Sequence, residues 1–174
     1  MVDFGTYQGA LAVFQNARLA GATENCIIGA IVDYSKSSEF TITMVGHGAA
    51  GPLGYLVGSA VGYEKDERIR RINDFTFTLV DFTEAGIGFV PLRGAAMKIN
   101  PEKHTPCYSD CFFFPYQEIA EITVKNFFGI RKTVKSIKIK LVNGKKLFFN
   151  ANMTEKTLPY QAIGMQQIVA RYQK

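Results

Sequence analysis

The 174-residue sequence has no tryptophan and only three cysteines, and it lacks several segments that would assign a function directly. An odd, sparse set of cysteines argues against a disulfide framework and favours a reduced, cytoplasmic setting. The N-terminus has no basic stretch followed by an apolar run, so no secretory signal is expected. No segment recurs at a period of about 20–50 residues, which excludes a solenoid or propeller. Residues 1–174 are therefore expected to form a single globular domain that needs no disulfide or metal for stability.

Acidic residues are missing from one long stretch, because no Asp or Glu occurs between Ile122 and Thr154. The net charge of +5 is divided unevenly. Residues 1–110 hold 12 acids and 9 bases, whereas residues 111–174 hold 3 acids and 11 bases. Any electrostatic function is therefore expected in the C-terminal third. Its candidate residues for binding an anionic surface are Lys125, Arg131, Lys132, Lys135, Lys138, Lys140, Lys145 and Lys146.

Catalytic signatures are also lacking. The sequence contains no G-x-S-x-G element and its acids are scattered over predicted turns, so neither catalytic residues nor a cofactor are expected. Gly46–Gly51 has the G-x-G-x-x-G spacing that brings a backbone close to phosphates. The acid expected on a second parallel strand is absent, and the sequence that follows is rich in hairpins. A small enzyme or nucleotide binder using Gly46–Gly51 remains an alternative.

Glycines spaced four apart continue this stretch at Gly54, Gly58 and Gly62. Such spacing leaves a flat helix face that another backbone can approach closely. Residues 46–72 are interpreted as a Gly-rich insertion, which is either buried between strands, facing a membrane, or used for self-association. A self-assembling structural protein that uses these three glycines is the main alternative function.

A third cluster combines His104, Cys107 and Cys111, which are residue types that bind metals. A structural zinc site needs four ligands, and no second cysteine pair is present. The sequence therefore predicts no metal site here. The segment is interpreted as a polar loop that enters a strand, with Cys111 as a small apolar residue.

Hydrophobic periodicity predicts a mainly β chain flanked by two helices. An amphipathic helix over 4–20, with Asp3 available as its cap, ends near Gly21. A closing amphipathic helix follows Leu158, with Pro159 in its first turn. Between them, the pattern predicts about seven strands and one hairpin at Asn143-Gly144. The predicted strands are Cys26–Tyr34, Phe40–Val45, Phe75–Val80, Ile87–Val90, Cys111–Phe114, Glu118–Phe127 (with a bulge between Ile119 and Ile122), Ser136–Val142 and Lys146–Phe149. Residues 64–71 are predicted to be helix or loop, 94–110 loop, and 128–135 a basic turn.

The segment Phe112–Ile119, the hairpin around Asn143-Gly144 and the closing helix resemble bacterial pleckstrin-homology-like (GRAM-like) domains, a family of largely unknown function. The resemblance covers residues 75–174 and, more loosely, 24–34. It implies a seven-stranded, bent antiparallel barrel with a C-terminal capping helix, to which this chain adds an N-terminal helix and the Gly-rich insertion. Eukaryotic pleckstrin-homology domains usually carry a tryptophan in the last helix and basic residues on the first hairpin. This chain has neither, so recognition of phosphoinositides is not implied.

The expected function is a non-catalytic cytoplasmic interaction module. The basic late-strand face would bind a protein partner or an anionic membrane, so the protein is expected in the cytoplasm or peripherally at the inner membrane face. The same face fits a solvated strand surface without a partner, since edge lysines discourage sheet aggregation. Single-stranded nucleic acid is a less favoured ligand, and a homo-oligomer is a further expected assembly.

Overall fold

A computed structural model describes residues 3–33 and 66–173. Its helices are α1 (Tyr7–Asn16), α2 (Glu67–Ile72) and α3 (Gln161–Tyr172). Its strands are β1 (Asn25–Val32), β2 (Phe77–Thr83), β3 (Gly86–Gly94), β4 (His104–Pro106), β5 (Phe112–Pro115), β6 (Ile119–Phe127), β7 (Arg131–Leu141) and β8 (Lys146–Asn152). Short 3-10 turns occupy Tyr108–Asp110 and Tyr116–Glu118.

The strands form one antiparallel sheet with the order β4-β3-β2-β1-β8-β7-β6, and β5 pairs with β3 beside β4. Two meanders, β1–β3 and β6–β8, are joined where Ile31 and Val32 of β1 pair with β8. The predicted mainly antiparallel β architecture is confirmed, and a bent open sheet followed by a helix fits a pleckstrin-homology-like barrel. The described residues contain eight strands, because β4 forms in the stretch that was predicted to be a loop.

Both faces of the first meander are buried, and each has its own hydrophobic cluster. The inner cluster joins side chains such as Val80, Phe89 and Phe149, and α3 adds Met165 and Ile168 to it. The outer cluster lies between this meander and α1 and consists of Phe4, Ala10, Val13, Phe14, Ile27, Phe77, Leu79, Val90, Leu92, Ile99, Leu158 and Tyr160. Burial on two faces explains why every residue of β2 is buried.

The N-terminal helix is shorter than the predicted 4–20, and its cap is Thr6 instead of Asp3. The Thr6 side chain accepts a hydrogen bond from the Gly9 amide, while Asp3 accepts one from Gly5. The helix ends early because Arg18 adopts a positive φ of 58°, and the Leu19 amide then bonds back to the Phe14 carbonyl. Position 18 holds neither the glycine nor the asparagine that would mark this stop in the sequence.

In the second meander the predicted bulge after Ile119 and the Asn143-Gly144 turn are both confirmed. The basic turn predicted over 128–135 is wrong, because β7 begins at Arg131 and pairs with both neighbours. The turn is confined to 128–130.

The predicted strand Phe40–Val45 and most of the Gly-rich insertion lie outside the described residues. Of the insertion, only 66–72 is described, and it contains α2 with Asp66 as its N-cap. The closing helix is confirmed, but it begins at Gln161 with Tyr160 as its N-cap, so Pro159 precedes the helix and does not lie in its first turn.

Candidate functional site

The hairpin between β6 and β7 ends in a turn with an unusual side chain. Phe128 has φ +51° and Gly129 has φ +73°, and the Ile130 amide bonds to the Phe127 carbonyl at 3.3 Å. Two central residues with positive φ correspond to a type I′ turn, for which Asn-Gly is the preferred pair. A phenylalanine in the left-handed region costs about 1–2 kcal/mol, because its Cβ lies close to the following carbonyl oxygen.

This strained turn presents apolar side chains to the solvent. Phe128 is 75% exposed and Ile130 is 82% exposed. The ring of Phe127 lies 4.2 Å, centroid to centroid, from the ring of Phe128. Exposed single hydrophobic residues are ordinary at a protein surface. Two on one turn, where the backbone geometry favours a small polar residue, form an apolar tip.

Basic residues surround this tip. Lys125 ends the regular part of β6, and Arg131 and Lys132 begin β7; all three are exposed. The structure thus brings together the predicted bases nearest the turn, and we call this set, with Phe128 and Ile130, the hairpin tip. The surrounding sequence contributes no acid from Ile122 to Thr154. The tip therefore combines apolar side chains with positive charge.

A second group of the predicted bases lies along the outer strand face. Lys138, Lys140 and Lys146 are half-buried or exposed there. The Nζ of Lys138 lies 2.9 Å from the Glu121 carboxylate, and this contact holds the pKa of Glu121 below its usual value. The strand face is thus partly neutralised, whereas the tip is not.

The remaining two predicted bases are buried. Lys135 is 6% exposed, and its ammonium donates to Asn126 Oδ1 at 2.6 Å and to Gln173 Oε1 at 3.0 Å. Lys145 is 9% exposed. Lys135 therefore connects the hairpin to the end of α3 instead of facing a ligand. The sequence of β7 contained a signal for this burial. Lys135, Ile137 and Ile139 occupy alternate positions, so their side chains lie on the same, inward face of the strand.

Of the other sequence candidates, His104 and Cys107 lie in or next to β4, at the other end of the sheet order from β6. Gly46–Gly51 and the glycines Gly54, Gly58 and Gly62 are outside the described residues. His104 is buried, and its Nδ1 lies 3.1 Å from the Asn100 amide. The Cys107 thiol donates to Asp110 at 3.0 Å. Within residues 3–33 and 66–173, no group of three or more His, Cys, Asp or Glu side chains is arranged to hold a metal ion.

Two open clefts accompany the fold. One, of about 410 Å³, lies between the start of β2 and the end of β3 and is bordered by Asp74, Phe75, Arg93 and Asp110. Arg93 is 3.5 Å from Asp110 there, and hydrogen bonds from Cys107 and Ser109 hold the pKa of Asp110 low. The other, of about 380 Å³, lies between β6 and the end of α3.

Sequence reasoning missed one buried carboxyl group. Asp81, in the middle of β2, is fully buried, and neither oxygen has a hydrogen-bond partner among the described residues. Burial and, to a smaller extent, the negative charge of Glu84 raise the pKa of Asp81 to about 7. The sequence signal for this burial was the position of Asp81, two residues after Leu79 and therefore on the same face of a strand that holds no other charged residue. It lies on the face that packs against α1.

No helix within the described ranges is long and apolar enough to cross a membrane. Comparison of the chain with protein-family models, with curated proteins and with solved structures finds no match in any of the three.

Proposed function

We propose that this protein is a non-catalytic module that docks peripherally on an anionic membrane surface through the hairpin tip. The observation that carries the proposal is the exposure of Phe128 and Ile130 on a strained turn ringed by Lys125, Arg131 and Lys132. Apolar side chains can enter the headgroup boundary while neighbouring bases remain at the phosphates.

The expected strength is modest. Each base near an anionic surface contributes about 1 kcal/mol, so the three bases of the tip contribute about 3 kcal/mol. Transfer of Phe128 and Ile130 from water adds roughly 1.5 kcal/mol or more for each side chain. This sum, before the cost of immobilisation, predicts reversible binding that weakens as salt is added.

The site also favours a membrane over a protein partner. A specific protein interface buries a core of many side chains on each partner, whereas the large apolar side chains exposed at the tip are Phe128 and Ile130, beside three bases. The bent sheet and C-terminal helix fit the architecture of a pleckstrin-homology-like barrel. A cytoplasmic protein with this tip would meet the anionic lipids of the inner membrane face.

Co-sedimentation with vesicles tests the proposal. We expect binding to phosphatidylcholine vesicles that contain phosphatidylglycerol and little binding to pure phosphatidylcholine. Phe128→Ser with Ile130→Ser should abolish binding even at low salt, and Arg131→Glu with Lys132→Glu should do the same. These changes lie on an exposed turn and strand end, so the fold is expected to persist.

Matched controls lie at other places on the surface. Val142→Ser removes an apolar side chain that is 66% exposed on the β7–β8 turn, and Lys98→Glu with Lys103→Glu reverses two exposed bases. Both controls should bind like the unchanged protein. Equal binding to neutral and anionic vesicles, or equal losses in tip and control variants, would contradict the proposal.

A further inference from the structure

Strand β6 is the last in the sheet order. Among the described strands, β6 pairs only with β7. Its other edge borders the cleft of about 380 Å³, which is lined by Tyr116, Ile119, Ile122, Arg171 and Tyr172. An unpaired strand edge can accept another extended chain through backbone hydrogen bonds.

The part of β6 that could accept a strand is regular. Between two register shifts, Glu121 to Asn126 pair one to one with residues of β7. Side chains alternate over this span. Val124 is buried and Ile122 packs against the inner cluster, whereas Glu121 and Lys125 are exposed.

We propose that a second copy of this chain pairs with β6 in antiparallel orientation, with the two-fold axis at Thr123. In this register, Glu121 lies opposite Lys125 of the second copy, and the symmetry makes the same pair twice. Ile122 lies opposite Val124 of the second copy, beside the cleft. A two-fold pair of this kind is closed and stops at a dimer.

Neighbouring registers are poorer. A one-residue slip of one strand would place inward side chains opposite outward ones. Moving the axis to Ile122 or Val124 leaves both charges without opposite partners. Moving it to Glu121 or Lys125 brings like charges face to face, which is unfavourable. The charges of β6 therefore select a second copy of the same strand in one register.

Charge reversal tests this register. Without lipid, sedimentation velocity at increasing concentration should show a monomer–dimer equilibrium for the unchanged protein. Glu121→Lys alone and Lys125→Glu alone should each raise the dimer dissociation constant at least about tenfold, because each creates two like-charge pairs. Glu121→Lys also removes the Glu121–Lys138 ion pair, but an exposed pair contributes only about 0–1 kcal/mol, so the fold, checked by circular dichroism, should persist in both variants.

Two further samples make the test specific. The double variant Glu121→Lys with Lys125→Glu should recover the original dissociation constant. An equimolar mixture of the two single variants should form a heterodimer, since every opposed pair is then of unlike charge. Lys103→Glu, a reversal of an exposed base on the turn before β4, at the other end of the sheet order from β6, should leave self-association nearly unchanged.

A protein that stays monomeric at every concentration would overturn the proposal. So would a dimer whose dissociation constant responds to Lys103→Glu as strongly as to the β6 variants, or one that the double variant does not restore. These experiments contain no lipid, so their failure leaves the membrane proposal standing, and failure of vesicle binding leaves this one standing.

Discussion

The carboxamide of Gln161 makes both backbone hydrogen bonds of Gly29. The Gly29 amide lies 2.8 Å from Gln161 Oε1, and Gln161 Nε2 lies 3.0 Å from the Gly29 carbonyl oxygen. The same Nε2 lies 2.9 Å from the carbonyl oxygen of Asn152 in β8. Strands β1 and β8 pair only at Ile31 and Val32. The side chain of Gln161 thus connects the two meanders beyond the point where the backbone pairing of β1 with β8 ends.

Gln161→Leu is expected to destabilise the fold strongly. It keeps a similar volume but leaves the buried amide and carbonyl of Gly29 without partners, and each unsatisfied group costs about 1–3 kcal/mol. Urea denaturation should show a loss of about 2–4 kcal/mol in the free energy of unfolding. Gln167→Leu, on the exposed face of α3, is the matched control and should change stability little. Equal losses in both would refute the bridging role.

Gly164→Ala should also destabilise, although alanine is the better helix former by about 1 kcal/mol. A Cβ at Gly164 would lie 2.7 Å from the Ile27 carbonyl oxygen and 2.9 Å from Ile28 Cγ2. The helix would have to move away from β1, at a cost of about 1–3 kcal/mol. Thermal unfolding measures this, and an unchanged or raised melting temperature would show that α3 does not need the close approach.

Asp81 predicts an unusual dependence of stability on pH. The native carboxyl stays protonated up to about pH 7, whereas the unfolded chain loses this proton near 3.8. Unfolding therefore releases a proton between these values, and the free energy of unfolding falls as pH rises from about 4 to 7 by up to about 1.4 kcal/mol per unit. Above pH 7 the effect levels off.

Asp81→Asn removes this titration and keeps a neutral side chain of the same shape. Its stability should match the unchanged protein near pH 4 and exceed it at pH 8. Urea denaturation across this range measures the difference. A wild-type stability curve that rises from pH 4 to 7, or a variant with the same slope, would contradict the assignment.

Phe128→Asn separates stability from binding. Asparagine is favoured at the first central position of a type I′ turn, so the variant should unfold with a free energy about 1 kcal/mol higher. It should also lose most of the vesicle binding, because the apolar side chain is gone. Losing both stability and binding would indicate that Phe128 packs within the fold.

Periodicity predicted most of the fold correctly because each strand of the second meander buries one face. Ile137 and Ile139 alternate with Lys138, and Asn143-Gly144 determines the turn between β7 and β8. The stop of α1 was less visible, since Arg18 adopts a positive φ without a glycine. Strand β4 was missed because a three-residue strand has almost no periodicity.

The candidate site was only partly predictable. Composition located the positive charge, but it could not show that Lys135 is directed inwards to Gln173, a residue 38 positions away. Nor could it show that the turn is confined to 128–130 and so exposes Phe128. Those facts depend on the register between β6 and β7, which local sequence determines weakly.

The absence of tryptophan makes one measurement decisive for the membrane proposal. Phe128→Trp places a single indole at the hairpin tip, and Val142→Trp places one on the β7–β8 turn as a control. With phosphatidylglycerol-containing vesicles, the indole at the tip should shift its emission to shorter wavelength and become shielded from aqueous iodide, while the control stays unchanged. An indole at the tip that keeps its emission and its iodide quenching would contradict the account.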